Sequence, residues 1–382
     1  MRCVKIAFSN CYPGFNPKDL GTPFTHNRYL KASNINIVVS DSNPEIIFNG
    51  CFGDFLFASA HEDGNVIKVL VITEPISPDS ILFDCCITFD PSDFEGRNCY
   101  YPFFLFSVNH TINTPSSRES EEILKNKNPF CDFIYHHDGY EISRKHYFNL
   151  LNSYRKVEAA GIYLNNQNQG KVLDYWEKGL IQNKCNFSIC IQSVSLENFI
   201  NEKIIHSLCA NTIPIFYGPK SAKTVFNPKR IIFIQDYKGD DDLLDEIKRI
   251  DKNDDLFCSI ISQPIFLQDS YVERTLDNAE KFVFEIISGI KKKRTIYAFK
   301  TKEIKERLVS LKNNKKERGG FKKSNGVYKK TPLKKDMLKM SKNVFRSGTF
   351  NCYDLFFTPV VIKTIFLFHT IFSVSSFKRS CL

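Results

Sequence analysis

The sequence lacks a regular cysteine pattern. Its 13 cysteines include the adjacent pair Cys85 and Cys86, but no C-x-x-C pair. Zinc sites and disulfide frameworks depend on recurring spacings, so neither is expected. Many cysteines are predicted to be small buried side chains in a reducing compartment. The N-terminal MRCVKIAFSN has an apolar stretch too short for a signal peptide and is expected to form a first strand.

Positive charge is scarce in most of the chain and concentrated near its end. The formal net charge is +10, but residues 291–346 hold 21 Lys and Arg against 4 Asp and Glu. Residues 1–290 therefore carry a net charge of about −9. A nucleic-acid partner is not expected for this acidic body, whereas the basic segment suits an anionic membrane surface.

An apolar stretch, LFFTPVVIKTIFLFHTIFSVSSF, follows the basic segment at residues 355–377. It is long enough to cross a bilayer, yet Pro359, Lys363 and His369 interrupt it. This composition favours a segment that lies at the membrane interface, with packing on the protein or on a partner as the alternative. Residues 291–382 are therefore predicted to form a basic and apolar membrane-associating tail.

Apolar runs alternate with helical segments through the first 290 residues. Runs such as VKIAFS (4–9) and VIKVLVIT (66–73) suit buried parallel strands. A second strand–helix series follows the polar stretch 112–130, which reads as a linker. The pattern predicts an α/β protein with two Rossmann-like domains, 1–111 and 131–290, facing across a ligand cleft. This is the GT-B plan, and other two-domain α/β enzymes share its layout.

The segment NEKIIHSLCANTIPIFYG, residues 201–218, places an acid and a base at the start of a predicted helix. Free N–H groups and a partial positive charge at a helix N-terminus suit a pyrophosphate, and Lys203 adds a full charge. Glu202 would repel phosphate, but it could face a sugar hydroxyl or the positive charge that develops at a ring carbon. The pattern indicates a nucleotide-sugar site. The alternative is that Glu202 merely complements the helix dipole and Lys203 is a solvated surface residue.

A longer region around this segment resembles the donor-site signature of the family 10 glycosyltransferases, the α1,3/α1,4-fucosyltransferases, particularly the bacterial ones. E-K at 202–203, T-I-P-I at 212–215 and F-N-P-K at 226–229 stand in the family's order and spacing. The segments 71–104 and 141–161 resemble the family's acceptor-domain segment and the segment that opens its donor domain. The resemblance covers most of residues 1–290, and the tail is similar to the membrane-associating tails of bacterial members.

The resemblance implies an inverting transfer of L-fucose from GDP-β-L-fucose to a glycan hydroxyl, expected to be the 3-OH of GlcNAc or glucose. It implies that Glu74 is the general base and that Glu202 stabilises an oxocarbenium-like transition state. Arg144 and Lys203 would hold the pyrophosphate. The remaining roles that it implies are donor binding by Ser193, Phe199, Asn201 and Tyr217, and an acceptor-side role for Arg97. Core packing remains open for Phe199 and Tyr217.

The sequence departs from the family pattern beside the donor site. The usual F-E-N-S reads IQSV, so that Gln192 and Ser193 stand where Glu and Asn are usual. Asn201 and Phe199 replace the usual Thr and Tyr. A related enzyme that uses another nucleotide sugar is therefore one alternative, and a catalytically dead glycan- or membrane-binding homologue is another.

No metal and no cofactor is expected, because cations and a helix dipole can hold the pyrophosphate. The acidic run at 240–242 falls at a predicted helix start, where Asp is ordinary capping and dipole chemistry. The expected partners are GDP-fucose, an oligosaccharide, glycolipid or glycoprotein acceptor, and an anionic membrane surface. The expected location is cytoplasmic and peripheral on the membrane for a bacterial-type protein, or the Golgi membrane for a eukaryotic one.

Overall fold

The chain forms two parallel β-sheets, each accompanied by helices. A computed structural model describes residues 2–11, 15, 23–24, 27–52, 65–76, 83–108, 112–167, 173 and 175–291. The predicted tail, 291–382, lies outside the described residues except for Lys291. Within the described ranges no helix is both long enough and apolar enough to cross a bilayer.

The first sheet has six parallel strands in the order β2-β1-β3-β4-β5-β6. Its strands are β1 (Arg2–Ser9), β2 (Ile35–Val39), β3 (Ile46–Asn49), β4 (Ile67–Val71), β5 (Cys85–Thr88) and β6 (Asn98–Tyr100). Every residue of β3 and of β5 is buried, as expected for strands covered on both faces. The strand order reverses between β1 and β3, and ligands of open α/β sheets bind at the carboxyl ends of the strands beside such a reversal.

The second sheet has five parallel strands in the order β11-β10-β9-β7-β8. Its strands are β7 (Cys131–Phe133), β8 (Val157–Ala159), β9 (Phe187–Ile191), β10 (Ile213–Tyr217) and β11 (Ile232–Phe233). Here the order reverses between β7 and β9, so the corresponding ligand position is where those two strands end. Two sheets of this kind confirm the predicted pair of Rossmann-like folds.

Nine α-helices accompany the sheets within the described residues. They are α1 (Arg28–Lys31), α2 (Ser117–Lys125), α3 (Arg144–Tyr154), α4 (Tyr175–Gln182), α5 (Glu202–Cys209), α6 (Ala222–Val225), α7 (Asp240–Asp251), α8 (Asp254–Ile261) and α9 (Tyr271–Ile287). Ser143 caps α3, since its Oγ accepts a hydrogen bond from His146 N at 3.2 Å. Asn201 Oδ1 accepts one from Lys203 N at 3.2 Å and so caps α5.

The stretch predicted to be a linker contains α2. Ser116 and Glu119 form a capping box at its start, because the Ser116 side chain accepts from Glu119 N and the Glu119 carboxylate accepts from Ser116 N. Most of its residues are exposed, which accounts for their polar character. The domain boundaries at 111, 130 and 290 stay a prediction.

Helix α9 returns from the second sheet to pack on the first. Arg28 Nε lies 2.6 Å from Glu280 Oε2, and Arg28 Nη2 lies 2.8 Å from Asp277 Oδ1. The buried face of α9, which includes Val283, belongs to the same apolar cluster as Val4 of β1. This packing holds the two halves of the molecule together and fixes the relative position of their sheet edges.

Many of the described cysteines are buried, as the sequence predicts. No disulfide joins the cysteines that the structure describes. Seven of them are buried, namely Cys51, Cys85, Cys86, Cys99, Cys131, Cys185 and Cys190. These side chains fill the cores of the two sheets as small apolar groups.

Candidate active site

Glu74 lies in the turn that follows β4, at the carboxyl edge of the first sheet. Its side chain is partly buried, and the turn is fixed by a hydrogen bond from Ile76 N to Glu74 O at 2.7 Å. Burial raises the pKa of Glu74 to about 8, with a further contribution from the negative charge of Glu202 that Lys203 opposes. Glu74 is therefore largely protonated at neutral pH.

Glu202 and Lys203 occupy the first turn of α5 and form an ion pair. Lys203 Nζ lies 2.8 Å from Glu202 Oε1, and the two side chains are 30% and 15% exposed, respectively. Burial by itself would raise the pKa of Glu202, but Lys203 and His206 outweigh it and lower the pKa to about 2. Glu202 thus stays ionised under conditions in which Glu74 holds a proton, and its negative charge helps to raise the pKa of Glu74.

Arg144, the first residue of α3, is buried among backbone carbonyls. Its Nη2 donates to Ile191 O at 3.0 Å and to Ser193 Oγ at 2.7 Å, and its Nη1 donates to His137 O at 3.0 Å. The guanidinium also stacks on the ring of Tyr135, 4.2 Å from its centroid. Arg144 therefore ties together the ends of β7 and β9, where a ligand is expected. Its contact with a pyrophosphate stays a prediction.

Ser193 and Tyr217 converge on a loop that follows β7. Tyr140 N donates to Ser193 O at 3.3 Å, and the Tyr217 hydroxyl donates to Glu141 Oε2 at 3.3 Å. The same carboxylate oxygen accepts from Ser195 N at 2.8 Å. Burial and Glu141 together raise the pKa of Tyr217 to about 12. These contacts bring Ser193 and Tyr217 to the same edge of the second sheet as Arg144.

Two neighbouring groups were not singled out as site residues from the sequence. His136, three residues after β7, has its pKa lowered to about 4 by burial and by the charges of Lys178 and Lys203. Lys178 of α4 also helps to lower the pKa of Glu202. Lys178 follows no motif, and its proximity to these residues depends on how α4 packs, so local sequence held no signal for it.

Phe199 packs against the first domain. It is 5% exposed, and its ring lies 5.3 Å from Phe89 in an edge-to-face arrangement and 5.8 Å from Phe103 in a stacked one. The packing alternative is therefore the one that its contacts favour. Phe199 joins the two halves of the molecule beside the entry to α5.

The structure does not bring Arg97 to this group. Arg97 directly precedes β6, and the register of the two strands places it opposite Cys85, the first residue of β5. Its Nη1 donates to Asp84 O at 3.0 Å, at the amino edge of the first sheet. Glu74 lies at the opposite, carboxyl edge, so the geometry gives no support to an acceptor-side role for Arg97. The sequence could not reveal this, because the register of parallel strands is not encoded locally.

The acidic run at 240–242 forms the first turn of α7, as expected for helix-start chemistry. Asp240 Oδ2 lies 2.8 Å from His146 Nε2. Across the ranges that the structure describes, no three or more His, Cys, Asp and Glu side chains are placed to hold a metal ion.

Two parallel sheets whose carboxyl edges carry a general-base candidate on one side and a helix N-terminus on the other define the GT-B class of fold. Residues 124–262 match the sequence profile described as glycosyltransferase family 10 (fucosyltransferase), C-terminal domain. The matched range includes Arg144, Ser193, Glu202, Lys203 and Tyr217. Over this range the chain is similar to the fucosyltransferases of glycosyltransferase family 10.

Curated relatives are similar to the chain in sequence, and a solved structure shares its fold. A protein of Acanthamoeba polyphaga mimivirus whose name is that of a fucosyltransferase is 28% identical over 256 residues, covering 65% of this chain and 40% of the relative. The α-(1,3)-fucosyltransferase FucT of Helicobacter pylori is 23% identical over 233 residues, covering 52% of this chain and 47% of the relative. The chain thus spans less than half the length of these curated relatives. A crystal structure of an α1,3-fucosyltransferase shares the fold, with a TM-score of 0.59 at 20% identity, over 78% of this chain and 93% of that one.

Proposed function

We propose that the protein transfers L-fucose from GDP-β-L-fucose to a hydroxyl group of a glycan, with inversion at the fucose C1. The observation that carries this proposal is the match of residues 124–262 to the family 10 profile, which includes the ion pair of Glu202 and Lys203 at the start of α5. A second solved structure of similar fold, an α1,3-fucosyltransferase with GDP-fucose, supports the choice of donor.

Glu74 is proposed to act as the general base. As the acceptor oxygen attacks C1 of fucose, its proton passes to the ionised form of Glu74, and the bond between C1 and the phosphate oxygen breaks to release GDP. A single displacement of this kind converts the β-linked donor into an α-linked product. A pKa of about 8 makes Glu74 a stronger base than an ordinary carboxylate while a useful fraction is ionised near neutral pH.

The donor is proposed to lie where β7 and β9 end and α5 begins. Lys203 and the free N–H groups of α5 would hold the diphosphate, and Arg144 would act there directly or through Ser193, to which it donates. Glu202 would lie beside the fucose ring, where an ionised carboxylate stabilises positive charge developing at C1. Asn201 caps the helix, and Tyr217 borders the same edge. This set of charges holds the donor without a metal or a cofactor.

The acceptor is proposed to bind along the carboxyl edge of the first sheet, next to Glu74. Asn49 ends β3 there, and its Oδ1 accepts hydrogen bonds from Ser9 Oγ at 2.6 Å and Asn10 Nδ2 at 2.8 Å. Such a polar edge suits the hydroxyls of an oligosaccharide, glycolipid or glycoprotein glycan. The proposed nucleophile is the 3-OH of GlcNAc or glucose.

The direct test is a transfer assay with the full chain and labelled GDP-fucose on oligosaccharides ending in GlcNAc or glucose units. The proposal expects a fucosylated product whose new linkage is α by NMR. Turnover with a different nucleotide sugar and none with GDP-fucose would favour the first alternative, a related enzyme with an altered donor pocket. Binding of GDP or glycan without turnover of any donor would favour a catalytically dead homologue.

The tail is proposed to hold the protein on an anionic membrane, on the cytoplasmic side for a bacterial-type enzyme and at the Golgi for a eukaryotic one. Each Lys or Arg near such a surface contributes about 1 kcal/mol, and the attraction fades beyond a Debye length. The full chain should therefore sediment with phosphatidylserine vesicles at low salt and less well at high salt. A chain ending at residue 290 should stay in solution and keep GDP binding. Failure of the full chain to bind vesicles at low salt would contradict the proposal.

A further inference from the structure

Gln192 directly follows β9 and is buried, with 1% of its surface exposed. Its Nε2 donates to Phe199 O at 3.1 Å, and its Oε1 accepts from Asn201 N at 3.1 Å. One side-chain amide therefore bonds to both ends of the segment 199–201, much as a neighbouring strand would. Because this segment leads straight into α5, its position sets the position of the first turn of that helix.

The segment 199–201 is also one of the places where the second domain contacts the first. Phe104 N donates to Ile200 O at 3.2 Å, while the Phe199 ring packs on Phe89 and Phe103. The segment 199–201 is therefore held on two sides. Gln192 bonds to it from the end of β9, and the first domain contacts it from the other side. A shift of this segment would move Glu202 and Lys203 relative to Glu74.

The surroundings of Gln192 fix its amide in one orientation and favour an uncharged group. Its backbone N donates to Tyr217 O at 2.9 Å, and a Cβ on Gly218 would come within 3.1 Å of its Cδ. Its Nε2 faces two carbonyl oxygens, Phe199 O at 3.1 Å and Val194 O at 3.5 Å. An ionised carboxylate in this place would have no proton to donate to these two carbonyl oxygens.

We propose that Gln192 is a positioning residue, whose neutral amide holds the segment 199–201 so that Glu202 and Lys203 face Glu74. The kinetic consequence of this inference rests on the proposed function, whereas the structural consequence does not. The amide provides both a donor and an acceptor and carries no negative charge.

Two substitutions test the inference. Gln192→Met keeps the length of the side chain and removes both hydrogen bonds, whereas Gln192→Glu keeps them only while its carboxyl group is protonated. Gln263→Glu is the matched control, since the Gln263 Nε2 donates to a backbone carbonyl, Ser259 O, at the end of α8. Three quantities are measured for each: the NMR titration of the Glu74 carboxyl group, assigned with Glu74→Gln; hydrogen exchange of residues 199–209; and turnover of GDP-fucose.

For Gln192→Met we expect the titration midpoint of Glu74 to fall below that of the parent, because Glu202 is no longer held against it. Exchange of residues 199–209 should accelerate, and kcat should fall by a factor on the order of 10–10², the usual effect of misplaced catalytic groups, with a smaller change in KM. Gln192→Glu should resemble the parent at pH 5 and Gln192→Met at pH 8. The control should match the parent throughout.

A parental Glu74 titration in Gln192→Met, or a Gln192→Glu variant that behaves like the parent at both pH values, would overturn the inference. A parent that does not use GDP-fucose would refute the proposed function, and the titration and exchange measurements would still decide the positioning role. If Gln192→Met does not fold, the comparison of Gln192→Glu between pH 5 and pH 8 decides it.

Discussion

Glu74 and Glu202 have the same side chain in two different environments. The resulting difference between the pKa values of their carboxyl groups is the basis of the proposed chemistry. Glu74 follows β4 beside apolar residues such as Ile72 and Ile76, and burial raises its pKa to about 8. Glu202 begins α5 beside Lys203, which keeps its pKa near 2 despite burial. Burial after a strand lets Glu74 exchange a proton near neutral pH, whereas a neighbouring cation at a helix start keeps Glu202 an anion.

Removal of the exchangeable carboxyl group should have the largest effect. Glu74→Gln should lower kcat by a factor on the order of 10²–10⁴, the usual contribution of a positioned general base, and leave GDP binding nearly intact. Steady-state kinetics and calorimetry would measure the two effects. Glu273→Gln, on the exposed side of α9, is the control. Equal kcat values for Glu74→Gln and the parent would remove Glu74 from the mechanism.

A smaller effect is expected when Lys203, the ion-pair partner of Glu202, is replaced. Lys203→Met should weaken GDP binding by about 1.5–3 kcal/mol, the value of a hydrogen bond to a charged group. It should also raise the pKa of Glu202, since Lys203 is the principal charge that lowers it. Calorimetric titration with GDP provides the measurement, and Lys223→Met, which removes an exposed partner of Asp236, provides the control. Unchanged GDP affinity in Lys203→Met would rule out its role at the diphosphate.

The smallest effect is expected from a chelator. If Lys203, Arg144 and the N-terminus of α5 supply the positive charge that the leaving diphosphate requires, EDTA should leave the turnover of the purified protein unchanged. The assay compares rates before and after dialysis against EDTA. If EDTA abolished activity and Mn²⁺ restored it, a metal ion would supply this charge. The mechanism would then have to include that ion as well as the two carboxyl groups.

Much of this contrast could be predicted from the sequence, because its signals are local. Ser143 and Asn201 are capping residues at the helix starts where the structure has them. Glu202 and Lys203 fall in the first turn of α5, as the pattern after Asn201 predicts. The buried strands of both sheets appear as apolar runs, since parallel strands covered on both faces have little polar alternation.

The rest could not be predicted, because it depends on contacts between distant segments. The register of β5 and β6 places Arg97 at the amino edge of its sheet, away from Glu74. Phe199 meets aromatic rings more than 90 residues earlier in the chain. The two bonds of Gln192 to the segment 199–201 have no sequence signature beyond an unusual residue after β9. The short strand β8, three residues long, gave no periodic pattern to detect.

The pH dependence of kcat/KM tests the central claim most directly. This profile reports the ionisation of the free enzyme, in which burial and Glu202 raise the pKa of Glu74 to about 8. Because the ionised form is the base, the rate should fall about tenfold per pH unit below that midpoint and level off above it, and Glu74→Gln should abolish this limb. An ascending limb with a midpoint near the ordinary carboxyl value, about 4.5, or one that persists in Glu74→Gln, would contradict the account.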